Sequence, residues 1–395
     1  MKMHPHETWR AIRGYALVIP VLAMLLVTFV VPLLEVVRTS VTDDEMQASL
    51  PNVAAALRPW DGQSVVPAEA SQALLLDLPA AAPQKLAALG RRLSYEDPKA
   101  NSLLRLTAQR LKSGATNLAE IDGRWAQPGT WQMLKRAAGP YSSFYLLGAF
   151  DLRRDFGNGV KDSYETGGLY RNILLRTFVI AFLTTVCALV LAFPLCFFIS
   201  QSSSVIQRGA VLIIMLPFWT SIIVRTTAWI VLLQDRGVIN QLLEASGLIN
   251  RPLPLLHNRF AVIVVLTHVM LPFLALPLLA SMRAVDHRLT DAAASLGAGP
   301  LRAFWSAYLP QILPGLAAGA MLVFVLTLGF YVTPALVGGP ADQTIGAYIS
   351  LFTTGTGNWG LASALGLVLT VSTALLLALR QTLTGFAKDQ GAADR

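Results

Sequence analysis

Six stretches of this chain carry almost no Asp, Glu, Lys or Arg over a length that crosses a bilayer, about 20 residues. They are residues 14–34, 177–207, 209–234 and 260–282, then 309–336 within 303–341, and from 361 within 343–379. Arg225 is the one charge inside the third. A helix that is apolar around its whole circumference has no face to offer water. The runs are continuous, unlike the short alternating segments of a β-barrel. Their many Gly and Pro residues are tolerated in membrane helices. The expected fold is therefore an all-α membrane protein of six transmembrane helices.

Composition agrees. Hydrophobic residues make up 54% of the chain and charged residues 14%, against about 25% charged in an average soluble domain. That excludes an ordinary cytosolic enzyme and a disordered chain. Lys and Arg total 31 against 23 acids, a net +8. Residues 39–170 hold 14 acids and 14 bases, so the whole excess flanks the apolar runs. That is the positive-inside bias of membrane proteins. No basic stretch looks like a phosphate-backbone footprint, and no nucleic-acid partner is expected. Lys2, Arg10, Arg13, Arg208, Arg283, Arg288, Arg302, Arg380, Lys388 and Arg395 would face the cytoplasm. Arg38, Arg171, Arg176, Arg236, Arg251 and Arg259 would face the other side. Both termini are then cytoplasmic, and residues 39–170 lie outside. The first run is too long for a signal-peptide core and lacks a cleavage site, so it is expected to be retained.

The expected organisation is a cytoplasmic N-terminus and first span (1–38), an extracytoplasmic insertion (39–170) and a core holding the other five spans (171–395). Pro79, Pro83, Pro98 and Pro128 punctuate the insertion. Between them, residues 67–78, 84–93 and 100–112 have helical apolar spacing, with Leu103, Leu104, Leu106 and Leu111 on roughly one face. A mainly helical domain is expected there, either a structural cap or a docking platform.

The chemistry of most enzymes is missing. There is no Gly-x-x-x-x-Gly-Lys-Ser/Thr loop to cradle phosphate and no Gly-x-Ser-x-Gly. His4, His6, His257, His268 and His287 are scattered, so no metal site is expected. Cys187 and Cys196 lie nine apart in one run, roughly 13 Å along a helix, too far to bridge. The chain is expected to be a non-enzyme that binds no cofactor. If ATP drives it, another chain holds ATP and Mg.

One loop, residues 284–308 and the start of the fifth span, carries chemistry of another kind. Asp291-Ala-Ala-Ala-Ser-Leu-Gly-Ala-Gly-Pro300 leads through Trp305 and Leu309-Pro310 to Pro314-Gly315. Thr290 or Asp291 can cap a first short helix. Three alanines keep it slim, Gly297 and Gly299 allow unusual backbone angles, and Pro300 suits the first turn of a second helix. A slim exposed helix of this kind is a lever that a partner's groove can grip.

This loop resembles the signature loop of ABC importer permeases, Glu-Ala-Ala-x-x-x-Gly followed by Leu-Pro, with Asp291 in place of the Glu. The resemblance implies a coupling helix seated in an ATPase subunit, with Asp291, Ala292, Ala293, Leu296 and Gly297 as its contacts. The third span, Leu216-Pro-Phe-Trp219-Thr220-Ser-Ile-Ile-Val-Arg225, then Trp229 and Gly237-Val-Ile-Asn240, is similar to permeases of the spermidine/putrescine type. Val337-Gly-Gly-Pro340 and Ile345-Gly346 fit the same group. The resemblance covers roughly residues 170–385 and the first span, and it leaves the insertion outside.

It implies an inner-membrane component of a binding-protein-dependent importer. Partners would be two ATPase subunits, a second homologous permease, a periplasmic solute-binding protein and the lipid bilayer. Putrescine or spermidine is the expected cargo. The alternatives are 4-aminobutyrate, an aminophosphonate, an opine or ferric iron. A stand-alone secondary transporter and a membrane scaffold are the competing classes. An organic cation wants aromatic faces and carboxylates, so Trp219, Thr220, Trp229, Tyr331, Asp342 and Trp359 are candidates for its pathway. Arg225 is a functional candidate by its cost in the bilayer. It snorkels, pairs with an acid of the second permease, or meets an anionic solute.

Overall fold

The computed structural model describes residues 18–155, 159–163 and 167–393. Lys2, His4, His6, Arg10, Arg13, Arg395 and the start of the first apolar run lie outside these, as do the side chains of Arg380 and Lys388.

Five described helices are long and apolar enough to cross a membrane: Val18–Val41, Leu169–Gln201, Arg259–Arg283, Pro300–Gly329 and Trp359–Leu379. The third expected span, residues 209–234, is not one rod. It is a bent pair, Ser204–Trp219 and Ile222–Ala245, meeting at 99°. The cause is local. Pro217 sits in a tight turn at Leu216–Trp219, Thr220 is extended, and Ser221 restarts the helix by accepting the Ile223 amide on Oγ.

Proline shapes other spans more gently. Leu26–Val30 and Phe304–Tyr308 are wider π turns. Each lies where Pro32 or Pro310 lacks the N–H that would bond four residues back.

The chain divides into two compact units, Met1–Tyr170 with Ile349–Arg395, and Arg171–Tyr348. In the first, the helix Val31–Val41 packs along the last helix, Trp359–Ala393. The 18-residue apolar window of the first span has no buried residue, which suits contact with lipid and not with water.

The insertion belongs to this unit. Its expected helices are present as Ala68–Ala80, Pro83–Ser94 and Ala100–Lys112. Leu103 and Leu104 are buried and Leu111 packs against their core, but Leu106 is 39% exposed. At 100° per residue Leu106 falls outside the arc that the other three share. Trp125 donates to Thr107 Oγ1 and Trp131 to the Trp125 carbonyl, so both indoles are satisfied inside the core. Asp77 accepts the Asn52 and Val53 amides at the start of Pro51–Leu57. A small antiparallel hairpin, Leu152–Asp155 with Gly159–Asp162, is a departure from helix that the sequence did not indicate.

A buried ion network ties the insertion together. Arg92 donates to Asp43 at 2.6 Å and to Glu96 at 3.0 Å, and stacks 3.6 Å from the Phe144 ring centre. Burial alone would disfavour its charge, but Asp43 and Glu96 outweigh that, and the guanidinium holds its proton more firmly than usual. Close by, Gly360 leaves room for the Tyr145 ring, which any Cβ there would overlap.

In the second unit Arg259–Arg283 is the most enclosed span, with 61% of its apolar window buried. It packs on Leu309–Gly329. Gly315 lies over Ser281 and Pro277, and Gly319 over Leu274, so close that a Cβ on either would collide. Small residues bring membrane helices into this kind of contact. Cys196 is buried and donates to the Ala275 carbonyl, while Cys187 is exposed on the same helix.

Candidate functional site

Two helix breaks in the second unit carry Trp219, Thr220 and Tyr331. Trp219 and Thr220 stand at the first break, and Trp219 is 76% exposed. The second break follows Gly329, where Phe330 turns extended and Tyr331 precedes the short helix Val332–Val337. The restarted helix Ile222–Leu233 packs on Val332–Val337, and the Thr226 and Thr333 hydroxyls meet at 3.2 Å across that contact. Irregular backbone at membrane depth is tolerated where it lines a cavity or is buried in protein, and broken helices mark solute sites in transporters.

Arg225 lies one turn into Ile222–Leu233, and its Nε finds no partner among the described residues. His268, on Arg259–Arg283, lies within electrostatic reach of Arg225. Trp229 donates its indole N–H to His268 Nδ1 at 3.2 Å, so that nitrogen is an acceptor and the ring proton sits on Nε2. His268, Thr226 and Thr333 join Trp229 and Arg225 in one neighbourhood that the sequence alone did not assemble. Hydroxyls and a histidine inside apolar helices were the available signal.

Asp342 is committed to its own chain. It is buried and accepts from Arg259 Nε at 3.1 Å. Its carboxylate is thus paired within its own unit. Gly338 and Gly339 explain the Gly-Gly-Pro turn beside it: a Cβ on Gly339 would strike the His257 carbonyl, and one on Gly338 the Pro334 carbonyl and Val262. Trp359 belongs to the other unit, where it opens the last helix.

The loop expected to couple to an ATPase forms one short helix, His287–Ser295, with no buried residue. Its cap is Asp286, which accepts the Arg288 amide at 3.0 Å, and not Thr290 or Asp291. Those two lie inside the helix, because it begins earlier than the alanines suggested. Asp291, Ala292 and Leu296 are exposed and Ala293 is half-buried. Leu296, 88% exposed, projects a bare apolar side chain.

Gly297 has φ +86° and closes the helix. The Ala298 amide bonds to the Ala293 carbonyl and the Gly297 amide to the Ala294 carbonyl, the paired bonds of a glycine stop. Gly299 is extended at φ −63° and needs no such freedom. The second helix expected after Pro300 is the start of the fifth span, continuous over Pro300–Gly329. Gln311 links the two parts: its carboxamide oxygen accepts the Asp286 amide at 2.9 Å. It fixes the start of the exposed helix to the span, a role that no sequence spacing announced.

Among the described residues, no three His, Cys, Asp or Glu side chains gather as a metal would require. A cavity of 1060 Å³ in the first unit includes Arg58, Lys135, Arg136, Arg153 and Arg154 in its lining. That basic lining suits a cationic solute poorly.

No family model matches the chain. It is similar to the spermidine/putrescine transport system permease protein PotB of Escherichia coli (strain K12), 29% identical over 239 residues, 59% of this chain and 87% of that protein. With PotB of Haemophilus influenzae the identity is 31%, covering 53% of this chain and 73% of the relative. With the inner membrane ABC transporter permease protein YdcU of Escherichia coli (strain K12) it is 34%, covering 54% and 72%. A solved bacterial ABC transporter involved in import of the acidic polysaccharide alginate aligns at TM-score 0.44 and 18% identity, over 54% of this chain and 78% of its own. Relatives of this identity and extent place the chain: it belongs to the ABC importer permeases of the spermidine/putrescine permease family.

Proposed function

We propose that this subunit forms half of the translocation pathway for a small organic cation, putrescine or spermidine, in an ATP-driven importer of the bacterial inner membrane. The observation that carries the cargo is the similarity, 29% and 31%, to permeases named for spermidine and putrescine. A second homologous permease completes the pathway. Two ATPase subunits hold ATP and Mg, and a periplasmic binding protein delivers the solute. Both termini face the cytoplasm, and residues 39–170 face the periplasm. This chain itself catalyses nothing.

The exposed helix His287–Ser295 is the lever. Asp291, Ala292, Ala293, Leu296 and Gly297 meet the ATPase, and Gln311 passes their displacement to the fifth span. ATP binding draws the two levers together and opens the pathway outward. Only a difference in ligand affinity between the two states drives such a switch.

The pathway runs by the two helix breaks. Trp219 and Tyr331 offer ring faces, and Thr220 offers a hydroxyl. Carbonyls at the end of Leu216–Trp219 carry the partial negative charge of a helix C-terminus, which favours a cation. Arg225 would repel that cation. It therefore pairs with an acid of the second permease rather than with the solute.

The test is ATP hydrolysis by the co-purified complex in liposomes with its binding protein, challenged with putrescine, spermidine, 4-aminobutyrate, an aminophosphonate and ferric iron. Stimulation by the two polyamines supports the reading. Stimulation by another solute alone replaces the cargo and keeps the importer. Absence of any co-purifying ATPase would remove the coupling assignment.

A further inference from the structure

Arg225 and Trp229 stand four apart on the helix Ile222–Leu233, so they share one face. His268, from Arg259–Arg283, closes the group. Its ring centre lies 5.6 Å from that of Trp229, and its Nδ1 accepts the Trp229 indole N–H. All three residues are half-buried, so each keeps part of its surface open. Thr226 and Thr267, next to them in sequence, are closed off. The group lies wholly inside the second unit.

A histidine that accepts on Nδ1 is neutral and carries its proton on Nε2. Among the described residues, neither that Nε2–H nor the Arg225 guanidinium finds an acceptor. The Arg225 Nε is enclosed by its surroundings, so an incoming group would meet the terminal Nη nitrogens. The group thus presents N–H donors from two side chains and one positive charge. A charge at membrane depth is costly unless it is paired.

The acids of the second unit are placed elsewhere. They are Asp235, Glu244, Asp286, Asp291 and Asp342. Asp342 is held by Arg259, and Asp286 and Asp291 belong to the exposed helix and its cap. Asp235 lies beyond the end of Ile222–Leu233, and Glu244 in the short helix Val238–Ala245 that follows. One carboxylate from outside the chain would cancel the single charge. Its two oxygens would take donors from both side chains, and a guanidinium fork suits that shape. A phosphate dianion would leave the group negative, and an ammonium would meet only donors.

We infer, on the reading of this chain as half of a permease pair, that Arg225 and His268 together hold one carboxylate, supplied by an acid of the second permease. Trp229 is the positioning residue: its N–H occupies Nδ1 and so keeps the His268 proton on Nε2, where the carboxylate can take it. A solute that bears a carboxylate presents the same chemistry.

The test is proximity coupling in the co-purified complex in liposomes. Arg225→Lys supplies an amine that dicyclohexylcarbodiimide can join to a neighbouring carboxyl as an amide, the reagent taking up the water. The expected result is a cross-link between the two permeases, mapped by mass spectrometry to residue 225 and an Asp or Glu of the second permease, and absent from the wild type. Adding His268→Phe should cut its yield about fivefold, the weight of one hydrogen bond. His268→Gln, which keeps an acceptor for Trp229 and a donor beyond it, should restore most of the yield. Trp229→Phe, which frees the ring proton to move to Nδ1, should lower it several-fold. An adduct with added 4-aminobutyrate in place of the cross-link, weakened by the same variants, assigns the carboxylate to a solute and supports the same chemistry. A cross-link that His268→Phe leaves unchanged, or no coupling of either kind in an assembled complex, overturns this inference alone. Failure of any second permease to co-purify overturns the permease-pair reading and this inference with it.

Discussion

Asp61 shows how much one side chain can organise by itself. Its carboxylate accepts from the Ser64 hydroxyl at 2.6 Å and from the Ser64 and Gln63 amides. Those bonds, the Ser64 hydroxyl first, hold its pKa down at about 2, below the usual 3.8. A depressed carboxyl stabilises the fold above the unfolded value and ceases to as it protonates. Asp61→Asn is therefore expected to lower the thermal midpoint at pH 5 to 7. The difference should shrink as the pH falls from 3.8 toward 2; a pH-independent difference would sink the assignment. Arg225 is the opposite case, a charge whose Nε nothing among the described residues answers. Arg225→Ala is expected to impair assembly with the second permease or transport, and unchanged uptake at normal expression would refute this. Gln311→Leu removes the acceptor of the Asp286 amide. Solute-stimulated ATPase should fall several-fold while membrane insertion stays normal. Full stimulation would show that the exposed helix is positioned by other contacts. Of these three residues only Arg225 stood out in the sequence, because an intramembrane charge is conspicuous, whereas a hydrogen bond over 25 residues is not.

Among the elements, the exposed helix and the broken span differ in how far the sequence foretold them. The exposed helix was legible through its alanines and Gly297, because a glycine stop is a local device. A residue with Cβ at φ +86° is strained by about 1–2 kcal/mol, so Gly297→Trp is expected to fray the helix end. Asp291→Lys reverses the charge of an exposed contact. Both should uncouple ATP hydrolysis from solute without preventing membrane insertion, and coupled hydrolysis retained in both variants would remove this helix from the interface. The break at Thr220 was less legible. Pro217 announced a disturbance, but prolines also lie inside Arg259–Arg283 at 272 and 277 without ending that helix. What ends a helix is loss of the next turn's bonds together with a new cap. Ser221 supplies the cap here.

On the scale of the whole molecule, the first and last spans fold with the insertion, although more than three hundred residues separate them. Gly360 is a point of that contact. A larger side chain there must displace Tyr145, and overpacking costs about 1–3 kcal/mol. Gly360→Leu is expected to lower the thermal midpoint of the assembled complex, and an unchanged midpoint would mean the insertion is held elsewhere.

The sequence by itself determined the class of the molecule. Apolar runs of bilayer length, a neutral insertion with helical spacing, and local cap and turn residues act over a few residues and need no partner. The tertiary structure decided what long-range contact decides. It paired Asp342 with Arg259, set Trp229 on His268 and joined Thr226 to Thr333. Each of these depends on which helix faces lie together, and an almost uniformly apolar span leaves its facing undetermined until its neighbours are in place.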